Sequence, residues 1–350
     1  MLDLVIIGAG QAGLAAGRRA KAKGLEFEIV EAASQAGGSW PCYYDSLTLF
    51  SPARYSRLPD LEFPGDPERY PKRDEVVGYM RDYARHFDLP ILVDFQVTRV
   101  EALARPSGYA VMAKDGRQRE ARAVLVASGG FGTPKTPRID GEDAFQGQRL
   151  HSRDYRRPEP YAGQRVVVVG AGNSAVQIAV ELAKVAKVSL ATRGPVKLVP
   201  QRLLGKDIHF WLKWTGLDNV SLPGDPTAPV VDDGRYRRAL RSGQPDQRPM
   251  FSRFTTSGVI WTDGVEEPVD AVIFATGFSP TLDFLQGTGA LDARGWPIHR
   301  RGVSLPCPGL FFVGLPWQKD LSSATIRGAA RDSKFIQQAV DQWLARRAAE

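Results

Sequence analysis

Cysteine and histidine are scarce in this chain, whose 350 residues include two cysteines, Cys42 and Cys307, and four histidines. The two cysteines lie far apart and form no Cys-x-x-Cys pair, which excludes a dithiol redox centre and a cysteine-ligated metal site. The histidines lack metal-ligand spacing, so no metal site is expected. No Ser-His-Asp set and no carboxylate pair stands out. We therefore expect the chemistry to come from bound organic cofactors.

Long apolar runs and clustered charges are also missing. The longest apolar runs, such as residues 4–7 and 271–275, are far shorter than the ~18 residues of a membrane span. The first strand begins too early to leave room for a signal peptide, so we expect a cytoplasmic location and no membrane partner. Lys and Arg exceed Asp and Glu by 46 to 39, but these charges are scattered. That scatter argues against nucleic acid as a partner and favours phosphate-bearing ligands.

Two glycine-rich segments follow apolar runs and resemble each other in spacing. In such a motif the first glycine permits a tight turn and the second lets the backbone approach a pyrophosphate. The third position allows close packing of helix on strand, and the pyrophosphate rests on the helix N-terminus. The two motifs are Gly8-x-Gly10-x-x-Gly13 and Gly170-x-Gly172-x-x-Ala175. Their repetition predicts two bound dinucleotides.

The residue that follows the second strand of each unit predicts which nucleotide binds. In the first unit this is Glu31, whose carboxylate can accept hydrogen bonds from ribose hydroxyls and would repel a 2'-phosphate, favouring FAD or NAD. In the second unit Thr192 and Arg193 stand in its place and suit a 2'-phosphate, favouring NADP(H). The alternative to phosphate binding is that Arg193 is a solvated surface charge. Two nucleotides without redox cysteines indicate a bound flavin that is reduced by a nicotinamide.

The order of predicted elements gives an α/β fold with two Rossmann-like dinucleotide-binding domains of the three-layer ββα type. The NADP domain is inserted in the FAD domain. We assign residues 1–150 and 277–350 to the FAD-binding domain and residues 160–275 to the NAD(P)H-binding domain, with an insertion at about 202–253. The insertion opens with an aromatic helix whose ring spacing favours core packing or a subunit contact. Its rings belong to His209, Phe210, Trp211 and Trp214.

Further motifs lie outside the two glycine turns. They are Phe145-x-Gly147-x-x-x-His151-Ser152-x-x-Tyr155, Gly37-Gly38-Ser39-Trp40 and Phe274-Ala275-Thr276-Gly277-Phe278. They resemble three motifs of the flavin-containing monooxygenases, the class B flavoprotein monooxygenases: F-x-G-x-x-x-H-[ST]-x-x-[YFW], G-G-x-W and F-A-T-G-Y. The resemblance covers nearly the whole chain. The Gly-Leu-Pro-Trp-Gln element that ends at Gln318 is similar to that of compact bacterial members, some of which carry labels that suggest a link to cation transport.

The resemblance implies a set of cofactor-binding residues. The FAD diphosphate, ribose and ring region would be held by Gly8, Gly10, Gln11, Ala12, Gly13, Glu31, Gly38, Ser39 and Trp40. The nicotinamide cofactor would be held by Gly170, Gly172, Asn173, Ser174, Ala175, Thr192 and Arg193. It also implies cofactor contacts for Val97, Ala127, Ala275, Gly277, Ser323 and Ala324. A C-terminal helix that begins at Ala324 would direct its N-terminus at the flavin pyrimidine ring, where it favours negative charge.

The family's chemistry implies that NADPH reduces FAD and that O2 adds at flavin C4a. The resulting hydroperoxide would pass an oxygen atom to a small soft-nucleophile substrate, a sulfide, amine or ketone, while bound NADP⁺ excludes water. Ser51 and Gln318 are the candidate catalytic residues. Ser51 stands where many members have an asparagine. Because Thr192 precedes Arg193, the register differs by one from the family pattern, and NADH remains an alternative donor.

Two other functions stay open from the sequence. One is an NAD(P)H-dependent flavin oxidoreductase or oxidase that inserts no oxygen, and the other is a nucleotide-sensing regulatory flavoprotein linked to cation transport. A homodimer is left open as the assembly. We also expect Gly170→Val to block flavin reduction while FAD stays bound, because its side chain would collide with the second nucleotide.

Overall fold

The computed structural model describes residues 1–104, 107–220 and 229–348. Its α-helices are α1 (Gln11–Ala22), α2 (Arg73–His86), α3 (Asn173–Leu182), α4 (Ile208–Thr215), α5 (Arg235–Arg241) and α6 (Ile326–Ala348). The strands up to residue 151 are β1 (Leu2–Ile7), β2 (Phe27–Val30), β3 (Ile91–Leu92), β4 (Val97–Leu103), β5 (Gly108–Ala113), β6 (Gln118–Val126), β7 (Thr133–Pro134) and β8 (Gln148–His151). Those from residue 165 to 232 are β9 (Arg165–Val169), β10 (Lys187–Thr192), β11 (Leu198–Pro200), β12 (Arg202–Leu203), β13 (Lys206–Asp207) and β14 (Val230–Asp232). The remaining strands are β15 (Asp246–Pro249), β16 (Arg253–Phe254), β17 (Gly258–Ile260), β18 (Glu266–Pro268), β19 (Ala271–Phe274), β20 (Phe278–Ser279), β21 (His299–Arg300), β22 (Val303–Ser304) and β23 (Leu310–Phe312).

The first sheet is built around β1, which pairs in parallel with β2 and β6, while β23 pairs in parallel with β6. Alternate residues of β1 face opposite sides of the sheet. Leu4 and Ile6 pack into a core formed with α1, α2 and α6. Val5 and Ile7 pack into a second core with the β4–β5 hairpin. Both faces of the strand are therefore buried, and the three layers are those expected for the ββα type.

The second sheet has the order β15-β10-β9-β19-β8 and is parallel throughout. The valines of β9 alternate in the same way. Val166 and Val168 pack into the core beside α3, whereas Val167 and Val169 pack against the core of Trp261 near the β16–β18 strands. The fold class predicted from the sequence, two Rossmann-like units with three layers each, is confirmed.

Several predicted boundaries shift in the structure. β8 joins the second sheet through the pair His151–Phe274, so residues 148–150 lie with the second unit although the sequence placed them in the first. β15 pairs with β10 as an edge strand, so part of the predicted insertion at 202–253 is sheet. Residues 221–228 of that insertion lie outside the described residues. These pairings join distant segments, which local patterns do not encode.

The two units are joined by connecting strands and by side chains. β7 and β20 pair antiparallel as the chain crosses between the sheets in both directions. Tyr44, in the loop after the Gly37–Trp40 segment, donates a hydrogen bond to Gln177 of α3. In the aromatic helix α4, His209 is 3% exposed and Trp214 is 74% exposed. Of these two residues, His209 packs in the interior as predicted and Trp214 does not. In the part of the chain that is described, no helix is both long and apolar enough to cross a bilayer.

Candidate functional site

The first glycine turn brings β1 and α1 into very close contact. Gly8 has a φ of +105°, a conformation that favours glycine, and a Cβ on Gly13 would lie 1.8 Å from the Gly8 carbonyl oxygen. Ala127 lies against the same turn, because a Cβ on Gly8 would be 2.9 Å from its carbonyl oxygen. Ala12 is buried beside it at 3% exposure. The turn therefore has the tight packing that the motif predicts.

The N-terminus of α1 is open to an anion. Gly10 is the N-cap residue, it has no side chain to satisfy the free amide groups, and the first turn of the helix carries no acidic residue. The unpaired N–H groups and the helix dipole both favour a negatively charged group at this position. A pyrophosphate fits this environment.

Glu31 accepts backbone hydrogen bonds with both of its carboxylate oxygens. Its Oε2 accepts a hydrogen bond from the Ala9 N–H at 2.6 Å, and its Oε1 accepts one from the Ala33 N–H at 3.0 Å. The residue is 7% exposed. A carboxylate has about four lone-pair sites, so acceptor capacity remains for ribose hydroxyls. Val97 lies nearby at the start of β4, two residues after Phe95, whose N–H donates to the Glu31 carbonyl oxygen at 2.8 Å.

Three predicted FAD-binding segments meet at the start of α1. A Cβ on Gly38 would lie 2.8 Å from Gly10 Cα, so the two loops are in direct contact. Trp40 Nε1 donates to Gln11 Oε1 at 2.9 Å, and Gln11 Nε2 donates to the Ala324 carbonyl oxygen at 3.4 Å. The structure therefore brings together residues that are more than three hundred positions apart in sequence.

The loop before α6 is braced by two hydroxyls. Ser323 is fully buried, and its Oγ accepts hydrogen bonds from the N–H groups of Lys319 and Asp320 at 3.2 and 3.3 Å. Thr325 Oγ1 accepts the Gly328 N–H at 3.2 Å, as an N-cap does. The helix begins at Ile326, two residues later than predicted. Ser39 in the facing loop is exposed, and its Oγ lies 3.1 Å from the Tyr43 hydroxyl.

The second glycine turn repeats the geometry of the first. Gly170 has a φ of +140°, and a Cβ there would lie 2.5 Å from the Ala275 carbonyl oxygen and 3.1 Å from Ala175 Cβ. A Cβ on Gly172 would meet nothing within 4 Å. Gly172 caps α3 without a side-chain hydrogen bond, and the first turn of α3 has no acidic residue. Open space at the second glycine is what a bound pyrophosphate needs.

The other predicted nicotinamide-site residues surround this turn. Asn173 Oδ1 accepts the Val231 N–H at 3.3 Å, and Ser174 follows it on α3. Thr192 is buried at the end of β10. Arg193 is exposed and makes no ion pair or hydrogen bond with the described part of the chain. Its guanidinium is therefore available for a phosphate.

Gly277 marks the crossing between the two units. His151 Nδ1 accepts the Arg153 N–H at 3.2 Å, so Nε2 carries the proton and donates to the Gly277 carbonyl oxygen at 3.0 Å. Burial lowers the pKa of His151, which keeps this neutral form at physiological pH. Gly277 has a φ of +88° and a Cβ there would meet nothing within 4 Å. His151 is thus a positioning residue for the crossing strands.

The two candidate catalytic residues have different environments. Ser51 is 9% exposed, and its Oγ lies 2.8 Å from Ser56 Oγ. Gln318 is 5% exposed, and its amide is engaged by main-chain groups at both ends: Nε2 donates to Phe312 O at 2.8 Å and Oε1 accepts from the Leu315 N–H at 3.3 Å. Gln318 thus braces the loop after β23, and its catalytic role stays a prediction.

A buried polar pair, Asp207 and His209, packs against the segment that contains Ser51, whereas the sequence indicated only packing for His209. Asp207 Oδ1 is 2.7 Å from His209 Nδ1, and the Tyr70 hydroxyl donates to Asp207 Oδ2 at 2.6 Å. Burial, with the hydrogen bond to Asp207, raises the pKa of Tyr70 to about 12. The His209 ring stacks on Phe50 and Tyr55, on either side of Ser51. Only the aspartate before the aromatic helix, an N-cap signal, could have indicated this contact.

Comparison with known proteins agrees with this geometry. Residues 5–213 match the family model described as "Pyridine nucleotide-disulphide oxidoreductase". A flavin-containing monooxygenase from Stenotrophomonas maltophilia is 33% identical, with a TM-score of 0.86 and 98% of both chains covered. The chain belongs to the flavin-containing monooxygenase family.

The chain is also similar to an oxidoreductase and to an S-oxygenase from other organisms. The "Uncharacterized oxidoreductase CzcO-like" of Geobacillus kaustophilus is 34% identical over 96% of this chain and 97% of its own length. The structure of an S-allyl-L-cysteine S-oxygenase from Allium sativum is 25% identical, with a TM-score of 0.73, and covers 97% of this chain and 76% of its own. This monooxygenase-family member is thus an FAD-dependent oxidoreductase that uses FAD and NADP(H).

Proposed function

We propose that this flavoprotein transfers one oxygen atom of O2 to a small sulfide, amine or ketone at the expense of NADPH. The observation that carries the proposal is the meeting of the Gly38–Trp40 loop, Gln11 and Ala324 at the N-terminus of α1, with a second open turn at Gly172 in the other unit. The likeness to the S. maltophilia monooxygenase over 98% of the chain supports it.

Different residues would hold the different parts of each cofactor. Bound FAD would supply hydride acceptance and oxygen activation. The amides at the start of α1 bind its pyrophosphate, and Glu31 orients its ribose. The N-terminus of α6, capped by Thr325, favours negative charge on the reduced ring by about 1 kcal/mol or somewhat more where it is buried. On the other unit, Arg193 receives the 2'-phosphate and the amides after Gly172 receive the second pyrophosphate.

A specific feature of Ser51 favours an oxidase that inserts no oxygen as the second candidate. The Ser56 hydroxyl faces the carbonyl oxygens of Ser51 and Pro52 at 3.2 and 3.0 Å and can donate to one of them. When the Ser51 hydroxyl donates to Ser56 Oγ, 2.8 Å away, it presents only lone pairs to a ligand. An asparagine at this position could donate through its amide, whereas Ser51 in this arrangement cannot.

Product balance separates the two candidates. FAD-loaded protein is mixed with NADPH and methyl phenyl sulfide in aerated buffer, and sulfoxide, hydrogen peroxide and consumed NADPH are quantified. We expect one sulfoxide per NADPH with little peroxide. If the amount of hydrogen peroxide formed equals the amount of NADPH consumed, both with and without sulfide, the protein is an oxidase that inserts no oxygen.

A further inference from the structure

A cleft of about 730 Å³ opens beside the candidate site, between three parts of the chain. One wall is the segment 54–62, and another is the end of α4 with the turn that follows it. The third wall is the start of α6, and Arg19 of α1 also lines the cleft. The cleft is thus formed jointly by the first nucleotide unit and by the insertion in the second.

Positive charge dominates the lining of this cleft. Six of its side chains are cationic and three are acidic. The cationic ones are Arg19, Arg54, Arg57, Lys213, Arg327 and Arg331, and the acidic ones are Asp60, Glu62 and Asp218. Clustered cations at a partly enclosed surface attract an anion more strongly than the same charges in open solvent.

Four of the six cations are ion-paired, two with acidic residues of the lining and two, Arg54 and Arg331, with carboxylates outside it. Asp218 accepts two hydrogen bonds from Arg327, at 2.9 and 2.6 Å. Asp60 pairs at 2.9 Å with an arginine outside the lining, and Glu62 pairs with Arg57. Arg19 and Lys213 have no ion pair within the described residues.

Arg19 is the better placed of the two unpaired cations. Its Nε is buried and has no hydrogen-bond partner in the described part of the chain. A partly buried guanidinium without a counter-ion is costly, and an anionic ligand would offset that cost. Lys213 lines the same cleft from α4 and is exposed. An anion between them would be bound by cations from two separate elements.

The cleft adjoins the candidate site along two walls. Arg54 and Tyr55 lie on the short turn Ala53–Tyr55, which begins two residues after Ser51. Arg327 lies in the first turn of α6, three residues after Ala324, whose carbonyl accepts the Gln11 amide. The cleft lining is therefore continuous in the chain with the segments that carry Ser51 and Ala324.

Building on the proposed function, we infer that this cleft binds a carboxylate on the substrate, with Arg19 and Lys213 as its principal cations. A guanidinium forms two parallel hydrogen bonds with a carboxylate, which gives orientation as well as affinity. The substrate class is then a small sulfide or amine that carries a carboxylate, rather than a neutral one.

Two sulfides of nearly equal shape test this assignment: 4-(methylthio)benzoate and 4-(methylthio)benzamide. We expect a KM on the order of tenfold lower for the carboxylate, which corresponds to one charge-assisted contact. In Arg19→Gln and Lys213→Gln the ratio of the two KM values should move towards one. The matched control is Arg85→Gln, an exposed arginine outside the cleft, which should leave the ratio as it is.

A binding measurement keeps this inference separate from the oxygenation proposal. Calorimetric titration of the oxidised FAD-loaded protein with 4-(methylthio)benzoate should give a Kd that rises in Arg19→Gln and not in Arg85→Gln. Equal binding of the carboxylate and the amide, unchanged by Arg19→Gln, would overturn the carboxylate assignment. If neither sulfide is oxidised, the oxygenation proposal fails, and the Kd values still decide on the cleft.

Discussion

The indole N–H of Trp40 donates to the side-chain oxygen of Gln11 at 2.9 Å, which fixes the Gly38–Trp40 loop to the first residue of α1. Gln11 also donates to the Ala324 carbonyl oxygen at 3.4 Å. The side-chain amide of Gln11 therefore connects two predicted flavin-binding elements. One is the Gly38–Trp40 loop, predicted near the flavin ring, and the other is the segment before α6, predicted at the pyrimidine edge of the flavin.

Replacing Gln11 should weaken FAD retention. Gln11→Leu keeps a similar volume but leaves the partly buried Trp40 N–H without its acceptor, a loss of about 1–3 kcal/mol. We expect a lower Tm and a higher Kd for FAD, measured by fluorescence titration of the apoprotein. Gln118→Leu, on an exposed strand position, is the control. A Gln11 variant that binds FAD as tightly as the parent would remove the coupling role.

Arg193 should determine the choice between the two nicotinamide cofactors. Its exposed guanidinium is free to contact a 2'-phosphate, which NADH lacks. We expect Arg193→Gln to raise the KM for NADPH on the order of tenfold and to leave the KM for NADH nearly constant. Arg241→Gln, at an exposed position in α5, is the control. Equal changes with both cofactors would contradict a 2'-phosphate contact.

Substitutions of the two glycines of the second turn should affect different properties, stability at Gly170 and NADPH binding at Gly172. A side chain on Gly170 strains a φ of +140° and clashes with the Ala275 carbonyl oxygen at 2.5 Å, so Gly170→Ala should lower the Tm. This corrects the expectation that Gly170→Val affects only the second nucleotide. Gly172→Val instead enters open space, so it should abolish NADPH-driven bleaching of FAD with little change in Tm. Normal reduction in Gly172→Val would place the pyrophosphate elsewhere.

Glu267 should contribute to stability in a pH-dependent way. Hydrogen bonds from Arg165, together with Trp261 and Arg248, lower the pKa of Glu267 to about 2, although partial burial opposes this shift. Because the folded pKa lies below the unfolded value, this stabilisation is full above about pH 4.5 and disappears as the pH falls to about 2. Glu267→Gln should therefore cost about 1–3 kcal/mol at pH 7.

Urea unfolding of both proteins across this range measures that contribution. The stability gap between parent and Glu267→Gln should narrow as the pH decreases below 4.5. A gap that stays constant from pH 7 to pH 3 would mean that the charge of Glu267 contributes nothing.

Local patterns were sufficient for the two nucleotide turns and insufficient for contacts between distant segments. Gly8 and Gly170 follow apolar strands and precede helices, so the sequence alone predicted a tight strand-to-helix turn at each. The contacts of Gln318 with Phe312 and Leu315 could not be predicted from its motif match. The Asp207–Tyr70 contact joins residues 137 positions apart. No periodicity in either segment could encode that pairing.

Oxygen isotope labelling tests oxygen insertion most directly. FAD-loaded protein is reduced with NADPH under ¹⁸O2 in the presence of 4-(methylthio)benzoate, and the product is analysed by mass spectrometry. Oxygen insertion predicts one ¹⁸O atom in each sulfoxide formed and one sulfoxide for each NADPH oxidised. Recovery of the sulfide unoxidised, together with ¹⁸O-labelled hydrogen peroxide in an amount equal to the NADPH consumed, would contradict oxygen insertion.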